Sequence, residues 1–141
     1  KRQAWDTKGK PNHLLFSFHG LPKSFVEKGD PYEQRCKLTA KLVTEKLQLA
    51  PDQWSLSFQS RLGRTEWLKP YTDILLADLA KQGKTRVDVV CPGFAVDCLE
   101  TLEEISLRGS EQFVDAGGKT LHYIPALNAS DEHCYLLSRI I

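Results

Sequence analysis

Methionine is absent from the 141 residues, so Lys1 does not read as the start of an intact translation product. The polar opening KRQAWDTKGK reads as a linker running into a strand. We therefore expect residues 1–12 to be a linker remnant and 13–141 to be the carboxyl-terminal domain of a longer protein. An excess of one charge sign is missing too, because nineteen basic against eighteen acidic side chains leave a net charge of +1. No polyelectrolyte partner is implied, and without a basic stripe nucleic-acid binding is not expected. No apolar run approaches the roughly 20 residues that cross a bilayer, and the opening does not read as a signal peptide. A cytoplasmic location is the expectation. Cysteine is sparse: Cys36, Cys91, Cys98 and Cys134 stand far apart with no C-x-x-C pair. That spacing argues for reduced thiols rather than a disulfide framework or a zinc site.

Familiar phosphate and acyl-transfer signatures are missing as well. There is no G-x-x-x-x-G-K-[ST] loop and no G-x-G-x-x-G after a strand, so a nucleotide lacks its usual cradle. There is no G-x-S-x-G elbow, which weakens a serine-hydrolase reading.

What is present has the balance of an ordinary soluble domain, with 41% hydrophobic and 26% charged residues. The length suits one domain with a sizeable core. Four strand candidates alternate with helical patterns. The first strand is His13–Phe18, and Asp30-Pro31-Tyr32-Glu33 then supplies a cap, a first-turn proline and a glutamate three residues on. Leu38, Leu42, Val43 and Leu47 follow at helical spacing. Trp54–Gln59 is the second strand; Pro70 leads into a helix carrying Ile74, Leu75, Leu79 and Ala80, closed by Gly83. Arg86–Cys91 is the third strand. A helix from about Cys98 to Ala116 ends at Gly117-Gly118, Leu121–Ile124 is the fourth strand, and Ser130 caps a last helix. This order predicts an α/β fold: a flavodoxin-like, chelatase-like three-layer α/β/α sandwich around a mainly parallel four-stranded sheet.

Two segments bear chemistry. His19 closes the apolar run Leu14-Leu15-Phe16-Ser17-Phe18, and an acidic cluster, Asp97, Glu100, Glu103 and Glu104, follows the third strand. In an open parallel sheet both fall at carboxyl ends, which face the ligand crevice. A neutral imidazole there can accept a proton or ligate a metal; a lone histidine is just as often structural. Glu100 and Glu104 are four apart and share a helical face, while Glu103 points elsewhere. Carboxylates this close repel, so one retains a proton or a cation sits between them; the bland alternative is a solvated acidic helix start. Tyr32, Trp67 and Phe94 can wall a flat apolar ligand or simply pack. Arg61 and Arg64 flank Gly63 and can bind an anion, although solvation is the default for both. His13, His122 and His133 receive no role.

With these residues in view, the chain resembles the carboxyl-terminal half of the bacterial protoporphyrin ferrochelatases. The matching segments are Phe16-Ser17-Phe18-His19-Gly20-Leu21-Pro22, Gly29-Asp30-Pro31-Tyr32, Phe58-Gln59-Ser60-Arg61-Leu62-Gly63-Arg64, Trp67-Leu68 and Pro70-Tyr71-Thr72-Asp73. Cys91-Pro92-Gly93-Phe94, the run from Asp97 to Ile105, and Tyr123-Ile124-Pro125-Ala126-Leu127-Asn128 complete the set. The resemblance implies insertion of Fe²⁺ into protoporphyrin IX to form protohaem. It implies His19 and Glu100 as the iron-binding and catalytic pair, Asp97 and Glu104 as an acidic path for protons or metal, and Tyr32, Trp67 and Phe94 around the porphyrin pocket.

The same resemblance implies that an amino-terminal half supplies the other wall of the cleft and a membrane-facing lip. Peripheral membrane contact then belongs to the full-length protein, and this chain alone is expected to be inactive or nearly so. Iron is implied as a substrate, with no permanently bound cofactor. Some relatives bind a [2Fe–2S] cluster through clustered cysteines; the four here lack that clustering, so no cluster is predicted. Cys98 stands where some relatives carry a histidine, and Arg108 replaces an acidic residue of others, which shortens any carboxylate path. Two rival functions remain: a chelatase for cobalt or nickel in another tetrapyrrole, and a non-catalytic module that carries a metal or tetrapyrrole.

Overall fold

The computed structural model describes residues 13–141; the expected linker, 1–12, lies outside the described residues. The apolar runs form four strands: β1 (His13–His19), β2 (Trp54–Gln59), β3 (Arg86–Val90) and β4 (Thr120–Ile124). All pair in parallel in the order β2-β1-β3-β4. The chain runs outward from β1 to β2, then returns to the other side of β1 for β3. The order therefore reverses between β1 and β3, and a crevice opens at their carboxyl ends.

Helices cover both faces, because each strand buries side chains above and below. Leu15, Val87, Val89, Leu121 and Tyr123 pack with helix α3 (Thr72–Lys81) through Leu76 and Leu79. Ile105 and Phe113 of the helical segment α4 (residues 99–115) join the same layer. On the other face Leu14, Phe16, Phe18, Phe58, Val90 and Ile124 meet Cys36 and Ala40 of α2 (Tyr32–Leu47). The three-layer parallel sandwich is the one expected.

Details differ where packing decides. On α2, Val43 and Leu47 pack against the core, but Leu38 and Leu42 are exposed, and the buried line is Cys36, Ala40 and Thr44. Bulky rings on the sheet, with Phe16 and Trp54 edge to face at 5.9 Å, take the space. Small residues let α2 come close. Ile74 of α3 is likewise exposed, and Leu76 faces the core instead. A short helix, α1 (Lys23–Glu27), and a 3₁₀ turn (Pro51–Gln53) were not foreseen. The Asp30 carboxylate accepts from the Tyr32 N–H at 2.8 Å, but α2 is capped one residue later, at Pro31, and Glu33 pairs with Lys37 at 2.6 Å. At the start of α5 (Asp131–Ile140), Ser130 Oγ accepts from the His133 N–H at 3.2 Å.

The largest departure lies in α4, residues 99–115. It opens with one α turn (Leu99–Thr101), widens to a π-helix (Leu102–Gly109) and closes as an α-helix (Ser110–Asp115). Wider winding aligns residues five apart. Glu103 and Arg108, which an α-helix would splay, make a 2.7 Å ion pair. No helix among the described residues is long and apolar enough to cross a membrane.

Candidate active site

His19 is the last residue of β1 and sits half-buried at the crevice. Its Nδ1 lies 2.7 Å from the Gly20 carbonyl, which can only accept, so Nδ1 carries the hydrogen. In the neutral ring that leaves the Nε2 lone pair as the free base and ligand. The backbone beneath is pinned from two sides. Tyr32 donates its hydroxyl to the His19 carbonyl at 2.8 Å, and the Gly20 N–H donates to the Gln59 carbonyl at 2.7 Å. Burial pushes the Tyr32 phenol up, which keeps it a donor. A Cβ at Gly20 would fall 2.7 Å from the Gln59 oxygen and 3.0 Å from the Trp67 ring, so this exit accepts only glycine. Trp67 thus covers the end of β1, with its indole N–H held by the Leu62 carbonyl at 2.8 Å. The Phe94 ring lies 6.3 Å from the imidazole, tilted by 49°.

The acidic cluster divides. The Asp97 carboxylate accepts from Tyr123 Oη at 2.6 Å, Asn128 Nδ2 at 2.8 Å, the Ala126 N–H at 3.2 Å and Thr101 Oγ1 at 3.2 Å. Burial would raise its pKa, but these donors outweigh burial and hold the carboxyl below its ordinary value. The Asn128 side chain also accepts the Asp97 N–H at 2.8 Å, so the loop after β4 and the start of α4 grip each other twice. Glu100 is bound more loosely. A hydrogen bond from the Cys98 thiol is the main cause lowering its pKa. Glu104 accepts from the Ser60 N–H at 2.8 Å and from the Ser60 hydroxyl at 2.5 Å. Ser60 adopts φ +62°, a conformation non-glycine residues seldom take, and the carboxylate's double grip holds it there.

His19, Glu100 and Glu104 line one cavity of about 470 Å³, together with Ser60, Arg61 and Arg108. Arg61 is already occupied by Asp73 through paired 2.7 and 2.8 Å bonds and lies 4.2 Å from the Tyr71 ring. Arg64 is exposed beyond it. Of the residues singled out from the sequence, the fold gathers His19, Glu100 and Glu104 in this cavity. Asp97 faces the Tyr123–Asn128 loop, and Tyr32, Trp67 and Phe94 surround His19 rather than line the cavity. Among the described residues no group of three or more His, Cys, Asp and Glu side chains gathers closely enough to cage a metal.

Beneath the cavity runs a buried polar chain that sequence reasoning did not pick out. Gln59 Nε2 donates to the Glu100 carbonyl at 2.6 Å, while Gln59 Oε1 accepts from Ser17 Oγ at 2.7 Å and from Cys91 Sγ at 3.4 Å. Thr72 Oγ1 lies 2.9 Å from Ser17 Oγ and 2.8 Å from Ser57 Oγ. The signal available was a run of buried polar positions, Ser17, Ser57 and Gln59, inside otherwise apolar strands.

Against known proteins, the family model described as Ferrochelatase matches residues 1–141. A ferrochelatase of Methylococcus capsulatus is 54% identical over 136 residues, covering 96% of this chain and 42% of that protein. One from Acinetobacter baumannii is 55% identical over 133 residues, covering 94% and 39%. The chain thus spans about two fifths of the length of these curated relatives. Among solved structures, one assigned as a cobalamin (vitamin B12) biosynthesis CbiX protein from Marinobacter aquaeolei VT8 superposes with a TM-score of 0.55 at 14% identity. That match covers 92% of this chain and 93% of the other, and it speaks to the fold alone. The match over the whole chain and the identity to named relatives agree, and the chain belongs to the ferrochelatase family.

Proposed function

We propose that this chain is the metal- and proton-handling part of a ferrochelatase that inserts Fe²⁺ into protoporphyrin IX. The observation that carries this reading is the convergence of His19, Glu100 and Glu104 on one cavity at the carboxyl ends of parallel strands. Insertion replaces two pyrrole protons by one divalent ion, so the site needs a base, a path away for protons and a metal grip that lets go. Neutral Nε2 of His19 supplies the base. Glu100, held ionised beside it, supplies a hard oxygen ligand and a second proton acceptor, and Glu104 stands next on the same helix. Imidazole and carboxylate suit Fe²⁺ without the hold of a thiolate site. A pair of ligands in place of a cage fits a metal that is cargo, because the four porphyrin nitrogens supply the final bonds. Iron is therefore a substrate, and the reading needs no resident cofactor and no iron–sulfur cluster.

A second wall belongs to the reading. Val96, Leu99 and Leu102, which bracket Glu100 in sequence, are exposed, as is Leu62 at the cavity. An apolar rim of this kind suits a flat macrocycle and a facing protein surface. We assign that surface, and any peripheral membrane contact, to the remainder of the full-length protein, which acts in the cytoplasm. The test is anaerobic insertion of Fe²⁺ or Zn²⁺ into protoporphyrin, followed by absorbance, with this chain alone and with the full-length protein. Turnover by the full-length protein alone is the expected result. Failure of the full-length protein to turn over protoporphyrin, with activity on cobalt or nickel and another tetrapyrrole, would replace the substrate assignment. Tight binding of porphyrin and metal by the isolated chain, with no turnover by either form, would make it a carrier.

A further inference from the structure

We propose that Gln59 is a positioning residue that sets the separation of His19 from Glu100, an inference that rests on the functional reading of that pair. Gln59 ends β2 at the wall of the cavity with 3% of its surface exposed, and its side-chain amide is taken up by other protein groups. Its importance is that both halves of the site hang from it. Through its main chain, the Gln59 carbonyl accepts the N–H of Gly20 at 2.7 Å, which fixes the residue next to His19. Through its side chain, Nε2 donates to the Glu100 carbonyl at 2.6 Å, which fixes the first turn of α4. A single residue thus ties together the two chain segments that bring His19 and Glu100 to one cavity.

The amide can point only one way. The Glu100 carbonyl is an acceptor, so the NH₂ group must face it, and the amide oxygen must then receive Ser17 Oγ and Cys91 Sγ–H. With Ser17 donating to Gln59, Thr72 donates to Ser17, and Ser57 donates to Thr72. The result is one chain of bonds, Ser57 to Thr72 to Ser17 to Gln59 to Glu100, running in a single direction through the buried layer. Bonds aligned this way polarise one another, and a half-satisfied member is costly to bury. The anchor also acts two residues before α4 departs from α geometry at Leu102. A helix start whose ordinary ladder is interrupted is held from outside instead.

Two variants of the full-length protein test this. Gln59→Met keeps length and bulk but cannot donate to the Glu100 carbonyl. We expect its KM for Zn²⁺ to rise about tenfold, the equilibrium equivalent of one buried hydrogen bond. Its KM for protoporphyrin should stay within twofold, because the aromatic positions around His19 do not depend on the amide. A merely structural role would lower stability and leave that split unmoved. Ser17→Ala, a milder change, removes one donor that orients the amide and should raise the metal KM by about threefold; it is read alone if Gln59→Met fails to fold. An unchanged metal KM in the folded variant, or equal rises in both KM values, overturns the inference. His19→Ala and Glu100→Gln are measured alongside. If these abolish turnover while Gln59→Met keeps its metal KM, the pair stands and the positioning role alone falls. If both retain normal rates, the reading of the pair fails and the role of Gln59 fails with it.

Discussion

Asp97 and Glu100 lie three residues apart at one helix start, yet the fold treats them in opposite ways. Four donors from three segments converge on Asp97. Glu100 keeps its carboxylate toward the cavity, with a thiol and an imidazole as neighbours. A carboxylate saturated with fixed donors is a poor proton carrier, because its charge is already stabilised and its lone pairs are taken. A carboxylate with spare lone pairs beside a neutral imidazole can bind a cation, give it up and take a proton. On the proposed reading, an acidic cluster in sequence is a mixture of girders and tools, and hydrogen-bond saturation separates them.

The largest effects should come from the tools. In the full-length protein, His19→Ala or Glu100→Gln is expected to lower metal-insertion turnover by about a hundredfold or more, within the range for loss of a general base. Thermal unfolding should barely change, because neither side chain is part of the core. Wild-type turnover in either variant would break the comparison at its functional end.

Asp97→Ala should show the reverse. Removing the carboxylate strands the Tyr123 hydroxyl, buried at 8% exposure, and frees the loop that ends at Asn128. We expect a loss of about 2 kcal/mol in urea unfolding, as for a deprived buried donor. Turnover measured well below the unfolding temperature should fall by less than the Glu100 change causes. The same bonds give a pH signature. The pKa of Asp97 is lowered in the folded state, so folded Asp97 binds its proton less readily than unfolded Asp97. Its stabilisation is fully present above the ordinary value of 3.8 and is lost as pH falls through the lower folded pKa. Asp97→Asn should flatten the stability profile in that acid range, and an unchanged profile would mean that other carboxylates control it.

How much of this was legible depends on the range over which each contact acts. The sheet was readable because strand pattern, turn residues and caps are local, and parallel connection rules leave few arrangements. His19 was readable for the same reason: it ends an apolar run before a glycine. The sorting of the acidic cluster was not, since the partners of Asp97 arrive 26 and 31 residues later. Nor was the link from Gln59 to Glu100, 41 residues apart, which exists only once β2 and α4 are in place. The exposed Leu38 and Leu42 had a similar cause: helical spacing says which residues share a face, and the bulk of the opposing sheet says which face can approach.

The smallest prediction concerns the π segment, where Glu103 and Arg108 pair at 2.7 Å across five positions. Both side chains are about half exposed, at 43% and 58%. Solvent screens such a pair, and holding two long side chains offsets much of the attraction. Arg108→Ala should therefore cost no more than about 0.5 kcal/mol. The pair reports the winding rather than enforcing it, and the contacts of the same segment with the rest of the domain lie on its other side. There Gly109 sits where a Cβ would be 3.3 Å from Leu76, and Ser60 holds Glu104. If Arg108→Ala instead changed turnover as much as Glu100→Gln, the surface pair would be part of the machinery. The division between carboxylates that hold the fold and those that face the cavity would then have to be redrawn to include Glu103.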